Sequence, residues 1–401
     1  MRTEPLSENE IAVIREATYG SKIKVHFNNA GASLPTDIVL KTVVDYLTEE
    51  ASYGGYETEF KYKEQLENTY HQIARLINAN ASEIALVENA SAAWLIAFNG
   101  IDFKPGDVVM TSEMEYVTNL LGLLNAQKAY GIEIKVIPND AKGNFSLADL
   151  ESSINEKVKL LVVTHIGSTS AGVLPVAEIG KIARKHNILY LLDACQSVGQ
   201  MPVDVQEIGC DMLAVTGRKY LRAPRGTGFL YVRNEIQDQL KPVFIDGHSI
   251  QWITETNFKM LPDARRFELY EKNRALTLGL AKAVEYALGI GMDRIWLRIQ
   301  YLAALLRGKL KTIKRISLHD IGSQQCGIVT FSIDELDSQL VKNKLTEQHI
   351  NVSVGLAKST LFYMHKNKLE SIVRASVHYY NTEEEIDKLS GALRDIINEH
   401  P

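Results

Sequence analysis

The 401-residue sequence has little cysteine and no long hydrophobic run. Its three cysteines, Cys195, Cys210 and Cys326, are too few and too widely spaced for a disulfide framework or a paired-cysteine metal site. The longest apolar runs, such as Lys159–Ile166, are far shorter than the roughly 20 residues that span a bilayer. The stretch Met1–Glu10 is rich in glutamate and has no apolar core, so no secretory signal is expected. These absences favour a cytoplasmic protein without membrane partners.

An excess of charge of either sign is also missing. The chain has 44 basic and 49 acidic residues, a formal net charge of −5, and its basic residues are scattered. Such a protein has no general attraction for nucleic acid, so none is expected as a partner. With 45% hydrophobic residues and no internal repeat, the composition is typical of a globular protein. The length predicts two domains, or one large domain with a smaller one beside it.

Short runs rich in β-branched residues alternate with amphipathic stretches through the middle of the chain. Two of these stretches, Tyr116–Tyr130 and Val176–His186, repeat apolar residues at helical spacing. The alternation predicts an α/β fold in which a mostly parallel sheet lies between helices. Ligands of such sheets bind at the carboxyl ends of the strands. The predicted strands are Glu83–Val87, Asp107–Ser112, Glu133–Pro138, Lys159–His165, Ile188–Asp193, Met212–Thr216 and Gly228–Val232.

The pattern changes after about Asp263. A long helical segment, Phe267–Leu288, leads into mixed helices and strands that continue to Ile397. This change predicts a smaller α+β domain at the carboxyl-terminal end. Residues 23–265 are therefore assigned to the large domain, and residues 1–22 together with 266–401 to the small one.

An acidic residue follows one of the buried apolar strands. Asp193 ends the run Tyr190-Leu-Leu-Asp193, where an unpaired carboxylate would be costly, so it needs a cationic partner. A protonated pyridine nitrogen is such a partner, and a carboxylate beside it keeps the ring an electron sink. The alternative is that Asp193 is a helix N-cap, as most such residues are.

The next strand ends in a turn that combines a hydroxyl, a guanidinium and an amine. Thr216 and Arg218 can hold a phosphate through a hydrogen bond and a fork of charged donors. Lys219 lies beside another cation and is partly desolvated, and both effects disfavour its ammonium form. The neutral amine that results is the form that makes a Schiff base. Upstream, Ala90 and Ser91 begin an apolar helix whose free N–H groups make an anion site. Tyr116 can stack on a planar ring.

Taken in order, Asp193-x-x-Gln196 and Thr216-Gly-Arg-Lys219 resemble the cofactor site of the class V aminotransferase group of pyridoxal-phosphate enzymes. This group contains cysteine desulfurases, selenocysteine lyases and isopenicillin-N-epimerase-like enzymes. The resemblance covers nearly the whole chain. It also rests on the segments Phe27–Gly31, Ser112–Tyr116, Thr164–His165, Arg222–Gly228 and Val373–Thr382.

The resemblance implies a fold-type-I enzyme that binds pyridoxal 5'-phosphate, uses no metal and forms a homodimer. Lys219 would hold the cofactor as an imine and act in catalysis with Asp193, which would pair with the ring nitrogen. The other implied cofactor contacts are Gln196 and Ser168 at the phenolic oxygen, Tyr116 on the ring, and Ala90, Ser91, Thr216 and Arg218 at the phosphate. Arg374 would grip the carboxylate of an amino-acid substrate, and Asn29 is also assigned to substrate binding.

One departure from the desulfurase pattern bears on the reaction. The segment Asn351–Thr360, where desulfurases carry the cysteine that takes up sulfur, has no cysteine. Persulfide chemistry is therefore not expected, and β-elimination of a cysteine-derived substrate by a carbon–sulfur lyase is favoured. An aminotransferase or an amino-acid epimerase is the alternative. A further alternative is an inactive, cofactor-binding interaction protein, against which the intact lysine, acid and phosphate donors argue.

Three more residues have two interpretations each. Arg222 and Arg225 either bind a second anionic group of the substrate or brace the loop through carboxylates such as Glu268. His165 is either a hydrogen-bonding residue beside the cofactor or a core histidine, and the core position is favoured.

Overall fold

The two largest sheets of the structure have seven and four strands. The computed structural model describes residues 4–400, which contain fifteen strands and fourteen α-helices. The strands are β1 (Val25–His26), β2 (Ile84–Val87), β3 (Val108–Ser112), β4 (Glu133–Ile137), β5 (Val158–Thr164), β6 (Leu189–Asp193), β7 (Met212–Thr216), β8 (Gly228–Val232), β9 (Ile250–Thr254), β10 (Asn257–Met260), β11 (Ile316–Leu318), β12 (Ile328–Ile333), β13 (Ile350–Asn351), β14 (Ser353–Leu356) and β15 (Ser371–Ser376). The helices are α1 (Glu8–Glu16), α2 (Asp37–Tyr53), α3 (Gly55–Lys61), α4 (Lys63–Ile77), α5 (Ala90–Asn99), α6 (Val117–Tyr130), α7 (Leu147–Ser152), α8 (Val176–Lys185), α9 (Val205–Ile208), α10 (Arg274–Ile290), α11 (Met292–Lys311), α12 (Ser338–Glu347), α13 (Leu361–Lys366) and α14 (Glu383–Glu399).

The large sheet has the strand order β2-β8-β7-β6-β5-β3-β4. Strands β3 to β7 pair in parallel, whereas β8 pairs antiparallel with β7 and β2. The seven predicted strands are these seven, and their ends differ by no more than one residue. The predicted α/β fold with a mostly parallel sheet between helices is therefore confirmed.

Apolar cores cover both faces of this sheet. Along β6, Tyr190 and Leu192 belong to one core cluster and Leu191 to the other, as expected where successive side chains point to opposite faces. Every residue of β7 and β8 is buried. Burial on both faces explains why these strands read as continuous apolar runs rather than as alternating ones.

The second sheet is antiparallel, with the order β11-β12-β15-β14. It lies in the region predicted to be α+β. The predicted helix Phe267–Leu288 begins later than expected, because Arg274 starts α10 and Asn273 caps it by accepting a hydrogen bond from the Leu276 N–H at 2.9 Å. The preceding stretch contains a short 3-10 turn, Ala264–Phe267.

Two segments cross the predicted domain boundaries. Strand β1 pairs in parallel with β13, and Asn28 forms a bridge with Ser376, so this early segment joins the carboxyl-terminal part of the chain. Conversely, Ala275 and Leu278 of α10 pack with Tyr46 of α2. The division at residues 23 and 266 stays a prediction.

No single helix within residues 4–400 has the length and apolar composition to cross a membrane. Helices α10 and α11 reach that length and composition only when taken together, and they are bent by 79° where they join.

Candidate active site

Neighbouring parallel strands bring three polar residues to the carboxyl edge of the large sheet. Thr164 of β5 is in register with Asp193 of β6, and Asp193 is in register with Ala214 of β7, two residues before Thr216. The edge opens into a cavity of about 530 Å³. A larger groove of about 1010 Å³ beside α1 contains none of the predicted site residues. The predicted residues that line the smaller cavity are Ala90, Ser91, Tyr116, Ser168, Asp193, Gln196, Thr216, Arg218, Lys219 and Arg374.

Lys219 lies three residues beyond the end of β7, half-buried in the cavity wall. Burial lowers the pKa of its amine below the ordinary value, and the charge of Arg218 acts in the same direction, while the charge of Asp193 opposes it. Its Nζ atom is 5.9 Å from the centre of the Tyr116 ring. The environment thus favours the neutral amine, which is the form that reacts with a carbonyl group.

Asp193 is buried at the end of β6, and both of its carboxylate oxygens accept hydrogen bonds. The Cys195 N–H donates to Oδ1 and the Asn119 side chain donates to Oδ2, each at 2.9 Å. Neither donor is charged, and within residues 4–400 no lysine or arginine forms an ion pair with Asp193. A cation brought into the cavity would stabilise this carboxylate.

An anion site lies at the start of α5. Asn89 caps the helix by accepting a hydrogen bond from the Ala92 N–H at 2.9 Å, which leaves the N–H groups of Ala90 and Ser91 as donors in the first turn. The positive end of the helix favours a negatively charged ligand there. Thr216 and Arg218 line the same cavity.

Arg374 enters the cavity from β15 of the second sheet. Its Nε donates to Ser353 Oγ at 3.0 Å, and its Nη1 donates to the Ser168 carbonyl at 3.0 Å. Burial lowers the pKa of this guanidinium below its ordinary value. No carboxylate of the described range pairs with it, so the guanidinium is held in place while its charge is left uncompensated.

Two buried polar atoms of the cavity residues have no partner within residues 4–400, namely Ser168 Oγ and Gln196 Oε1. Buried polar atoms normally find a hydrogen-bond partner, so these two indicate a polar ligand. A ring with a cationic nitrogen, a phenolic oxygen and a phosphate matches the donors and acceptors present. The residues therefore fit pyridoxal 5'-phosphate.

Asn29 does not line the cavity, in contrast to the other predicted residues. It is fully buried, and its Nδ2 donates to the carbonyls of His26 and Ser376 at 3.1 and 2.7 Å. Its Oδ1 accepts from the Tyr380 hydroxyl at 2.5 Å. Because its donors and acceptor are used inside the protein, its position supports a structural role instead of direct substrate contact.

The two arginines after Lys219 have different positions. Arg222 is buried, donates to the Leu34 carbonyl, Tyr379 and Thr18, and lies against the Tyr380 ring. It therefore braces the loop, although not through Glu268. Arg225 is exposed. Neither arginine lines the cavity.

His165 and the cysteines are buried groups with shifted pKa values. Burial lowers the pKa of His165 to about 4, and its Nδ1 has no partner in the part of the chain that the structure describes. His165 is absent from the cavity wall, which agrees with the core interpretation. Burial raises the pKa of Cys326 to about 12 and that of Cys195 well above its ordinary value. Only Cys195 of these two lines the cavity.

Sequence reasoning missed two residues, Glu115 and Asn119, which join Asp193 through hydrogen bonds. Glu115 lies directly before Tyr116, and Asn119 is in the first turn of α6. A glutamate and an asparagine four positions apart at a helix start read as ordinary capping residues. Nothing in their spacing indicates that a third residue, 74 positions from Asn119, completes the set.

This arrangement is that of a fold-type-I enzyme that depends on pyridoxal 5'-phosphate. The chain belongs to the class-V aminotransferase family, whose model matches residues 25–389. The predicted family, cofactor and enzyme class are confirmed.

Similarity to individual proteins extends over the whole chain. A probable cysteine desulfurase of Methanothermobacter thermautotrophicus is 31% identical over 403 residues, which cover 99% of this chain and 98% of the relative. The apo structure of a cysteine desulfurase from Thermococcus onnurineus NA1 is 27% identical, with a TM-score of 0.92 and 100% of each chain covered. The fold is also that of the cystine C–S lyase C-DES, with a TM-score of 0.86 at 22% identity, covering 94% of this chain and 99% of that one.

Proposed function

We propose that this protein cleaves a carbon–sulfur bond of cysteine or a cysteine-derived amino acid by β-elimination. The observation that carries the proposal is Arg374, a fixed guanidinium that has no carboxylate partner within residues 4–400 and shares a cavity with Lys219. An amino-acid carboxylate would provide the missing charge. The names of the relatives, cysteine desulfurases, favour cysteine or a derivative of it as the amino acid.

Each cavity residue then has a definite task. Arg374 binds the carboxylate through two parallel hydrogen bonds and so orients the bonds at the α-carbon. The neutral Lys219 amine removes the α-proton as a general base. Asp193 keeps the ring nitrogen protonated. When bound, the cofactor supplies the electron sink that makes loss of this proton feasible.

The products follow from the balance of atoms. The electrons of the broken Cα–H bond form a Cα–Cβ double bond, and those of the Cβ–S bond leave with sulfur, which takes up a proton. Addition of water to the remaining three-carbon unit releases ammonium and pyruvate. A substrate with a substituent R on sulfur therefore gives R–SH, pyruvate and ammonium.

The cysteine side chains of this protein do not favour transfer of sulfur from the substrate to the protein. Such transfer requires a reactive thiolate beside the substrate. The segment Asn351–Thr360 has no cysteine, and Cys195 is held in the protonated form because burial and the Asp193 charge raise its pKa. Sulfur is therefore expected to leave in the released thiol.

A substrate panel tests this reaction. With added cofactor, S-substituted cysteines and cystine should give pyruvate and ammonium in equal amounts, measured by coupled assays. Free cysteine should give pyruvate and sulfide but no alanine. Alanine with protein-bound persulfide would support a desulfurase, a stable pyridoxamine form would support an aminotransferase, and exchange of the α-proton with inversion and no pyruvate would support an epimerase. Any of these three results without pyruvate would overturn the proposal.

We also propose that the protein is a homodimer. An exposed apolar stripe runs along α2, where Leu40, Val44 and Leu47 are 58%, 50% and 46% exposed. Phe60 of α3 is a further exposed apolar residue, at 79%. Apolar stripes of this kind on a protein surface favour association.

Light scattering should therefore give twice the chain mass of 44.8 kDa. The substitution Val44→Glu should shift the mass toward the monomer, because it places a charge in the middle of the stripe. The matched control Val13→Glu changes a residue that is 68% exposed on α1 and should leave the dimer intact. A wild-type mass of 44.8 kDa would contradict the proposed dimer.

A further inference from the structure

A fully buried glutamate lies behind the cavity wall. Glu115 is in the turn between β3 and α6, and its side chain is not among those that line the cavity. The Thr111 hydroxyl donates to its Oε2 at 2.9 Å, and the Thr164 hydroxyl donates to its Oε1 at 2.6 Å. The Tyr116 N–H donates to Oε1 at 2.9 Å. These contacts fix the carboxylate in one orientation.

A single amide joins Glu115 to Asp193. The Nδ2 atom of Asn119 is 2.7 Å from Glu115 Oε1 and 2.9 Å from Asp193 Oδ2. A side-chain amide has two N–H bonds, so Asn119 donates one to each carboxylate. Because all three residues are buried, solvent does not compete for these hydrogen bonds.

The two linked carboxylates are both buried, and neither is paired with a cation of the described residues. The groups around Glu115 are the two threonine hydroxyls, the Tyr116 N–H, the Asn119 amide and, beyond that amide, the Asp193 carboxylate. Within residues 4–400 no cation pairs with either acid. Burial raises the pKa of Glu115 to about 7, and the charge of Asp193 acts in the same direction. A cation at the ring position would relieve the repulsion between the two acids.

We propose that Glu115 and Asn119 are positioning residues that act on the cofactor through Asp193. Asn119 holds the orientation of the Asp193 carboxylate, and the charge of Glu115 strengthens the hold of that carboxylate on the ring-nitrogen proton. The proposal rests on the role proposed above for Asp193. It follows that Glu115 ionisation and protonation of the bound cofactor are coupled, so that each makes the other more favourable.

The coupling can be measured on the full-length protein loaded with pyridoxal 5'-phosphate, without substrate. The NMR chemical shift of the isotope-labelled ring nitrogen of the bound cofactor changes with pH as this nitrogen loses its proton. The substitution Glu115→Gln removes a nearby negative charge, so this change should move to lower pH by roughly one unit. Thr111→Val removes one hydrogen-bond donor to the Glu115 carboxylate, and this loss favours the neutral form of Glu115. The midpoint should therefore shift in the same direction, but by less.

Two control variants remove similar groups without touching the pair. Glu113→Gln removes a buried carboxylate from the same turn, but one that pairs with Lys366 at 2.6 Å. Thr330→Val removes a hydroxyl that donates to a different buried acid, Asp320, at 2.6 Å. Both controls should keep the wild-type midpoint.

The outcomes separate this inference from the proposed function. If Glu115→Gln does not fold, the Thr111→Val shift decides the question. If the wild type binds the cofactor and neither Glu115→Gln nor Thr111→Val moves the midpoint, the positioning role is wrong and the proposed function stands. A shift of equal size in Glu113→Gln would also overturn the specific coupling through Asn119. A wild type that takes up no cofactor would overturn the proposed function, and the inference with it.

Discussion

Replacing Lys219 with alanine is expected to lower the rate of substrate turnover by at least about 10³-fold, because one amine supplies both the cofactor link and the general base. General bases alone typically contribute about 10²- to 10⁴-fold. Borohydride treatment of the wild type should fix the cofactor to the peptide that contains Lys219, and mass spectrometry should find no such adduct in Lys219→Ala.

The surroundings of Lys219 differ from those of an exposed surface lysine. The Lys219 side chain is half-buried and burial lowers the pKa of its amine, whereas Lys241 is exposed and pairs with Asp102 at 2.8 Å. Lys241→Ala is therefore the matched control and should keep both the adduct and the rate. Turnover of Lys219→Ala within tenfold of the wild type, or a reduced adduct on another lysine, would contradict the assignment.

The substitution Arg374→Ala is expected to lower kcat/KM for the amino-acid substrate by about 100-fold, equivalent to about 2.7 kcal/mol. A charge-assisted hydrogen-bond pair to a carboxylate would be lost, and this pair depends on a guanidinium that the Ser353 and Ser168 contacts hold in place. The cofactor absorbance should stay at the wild-type intensity. Steady-state kinetics and cofactor titration measure the two effects separately.

Two further variants refine the role of Arg374. Arg374→Lys keeps the charge but loses the planar fork, so an intermediate value of kcat/KM is expected. Ser353→Ala removes the hydroxyl that accepts from Nε at 3.0 Å and should have a smaller effect. Loss of the cofactor from Arg374→Ala with unchanged amino-acid affinity would show that Arg374 holds the cofactor instead.

Most strands of the large sheet could be predicted from the sequence because its central strands, β6 to β8, are buried on both faces. Continuous apolar runs at 160–163, 189–192 and 212–215, each ended by a polar residue, mark β5, β6 and β7. The start of α10 was not accessible in the same way. Phe267 is buried and has the apolar character of a helix residue, but it lies in a 3-10 turn, and the Asn273 cap sets the actual start.

The roles of polar residues depended more strongly on tertiary contacts than the positions of the strands did. The sequence left two interpretations of Arg222, a ligand-binding cation or a brace of the loop, and the structure places it against Tyr380 with hydrogen bonds to distant parts of the chain. Asn29 lies in a motif of the family, but its amide is used by His26 and Ser376. Leu34 and Tyr379 lie more than 150 positions from Arg222, and Ser376 is as remote from Asn29, so these contacts leave no local pattern in the sequence.

The sequence by itself determined the order of the strands along the chain and the residues that follow them, including Asp193, Thr216 and Lys219. It could do so because burial of a strand and the turn after it are local properties of five to ten residues.

The tertiary structure decided which of those residues meet. The parallel register of β5, β6 and β7, together with the position of α6, brings Glu115, Asn119 and Asp193 into one buried network. The second sheet brings Arg374 into the wall of the cavity that Asp193 also lines. Strand pairing and packing between elements far apart in the chain fix these distances, and no short segment of sequence encodes them.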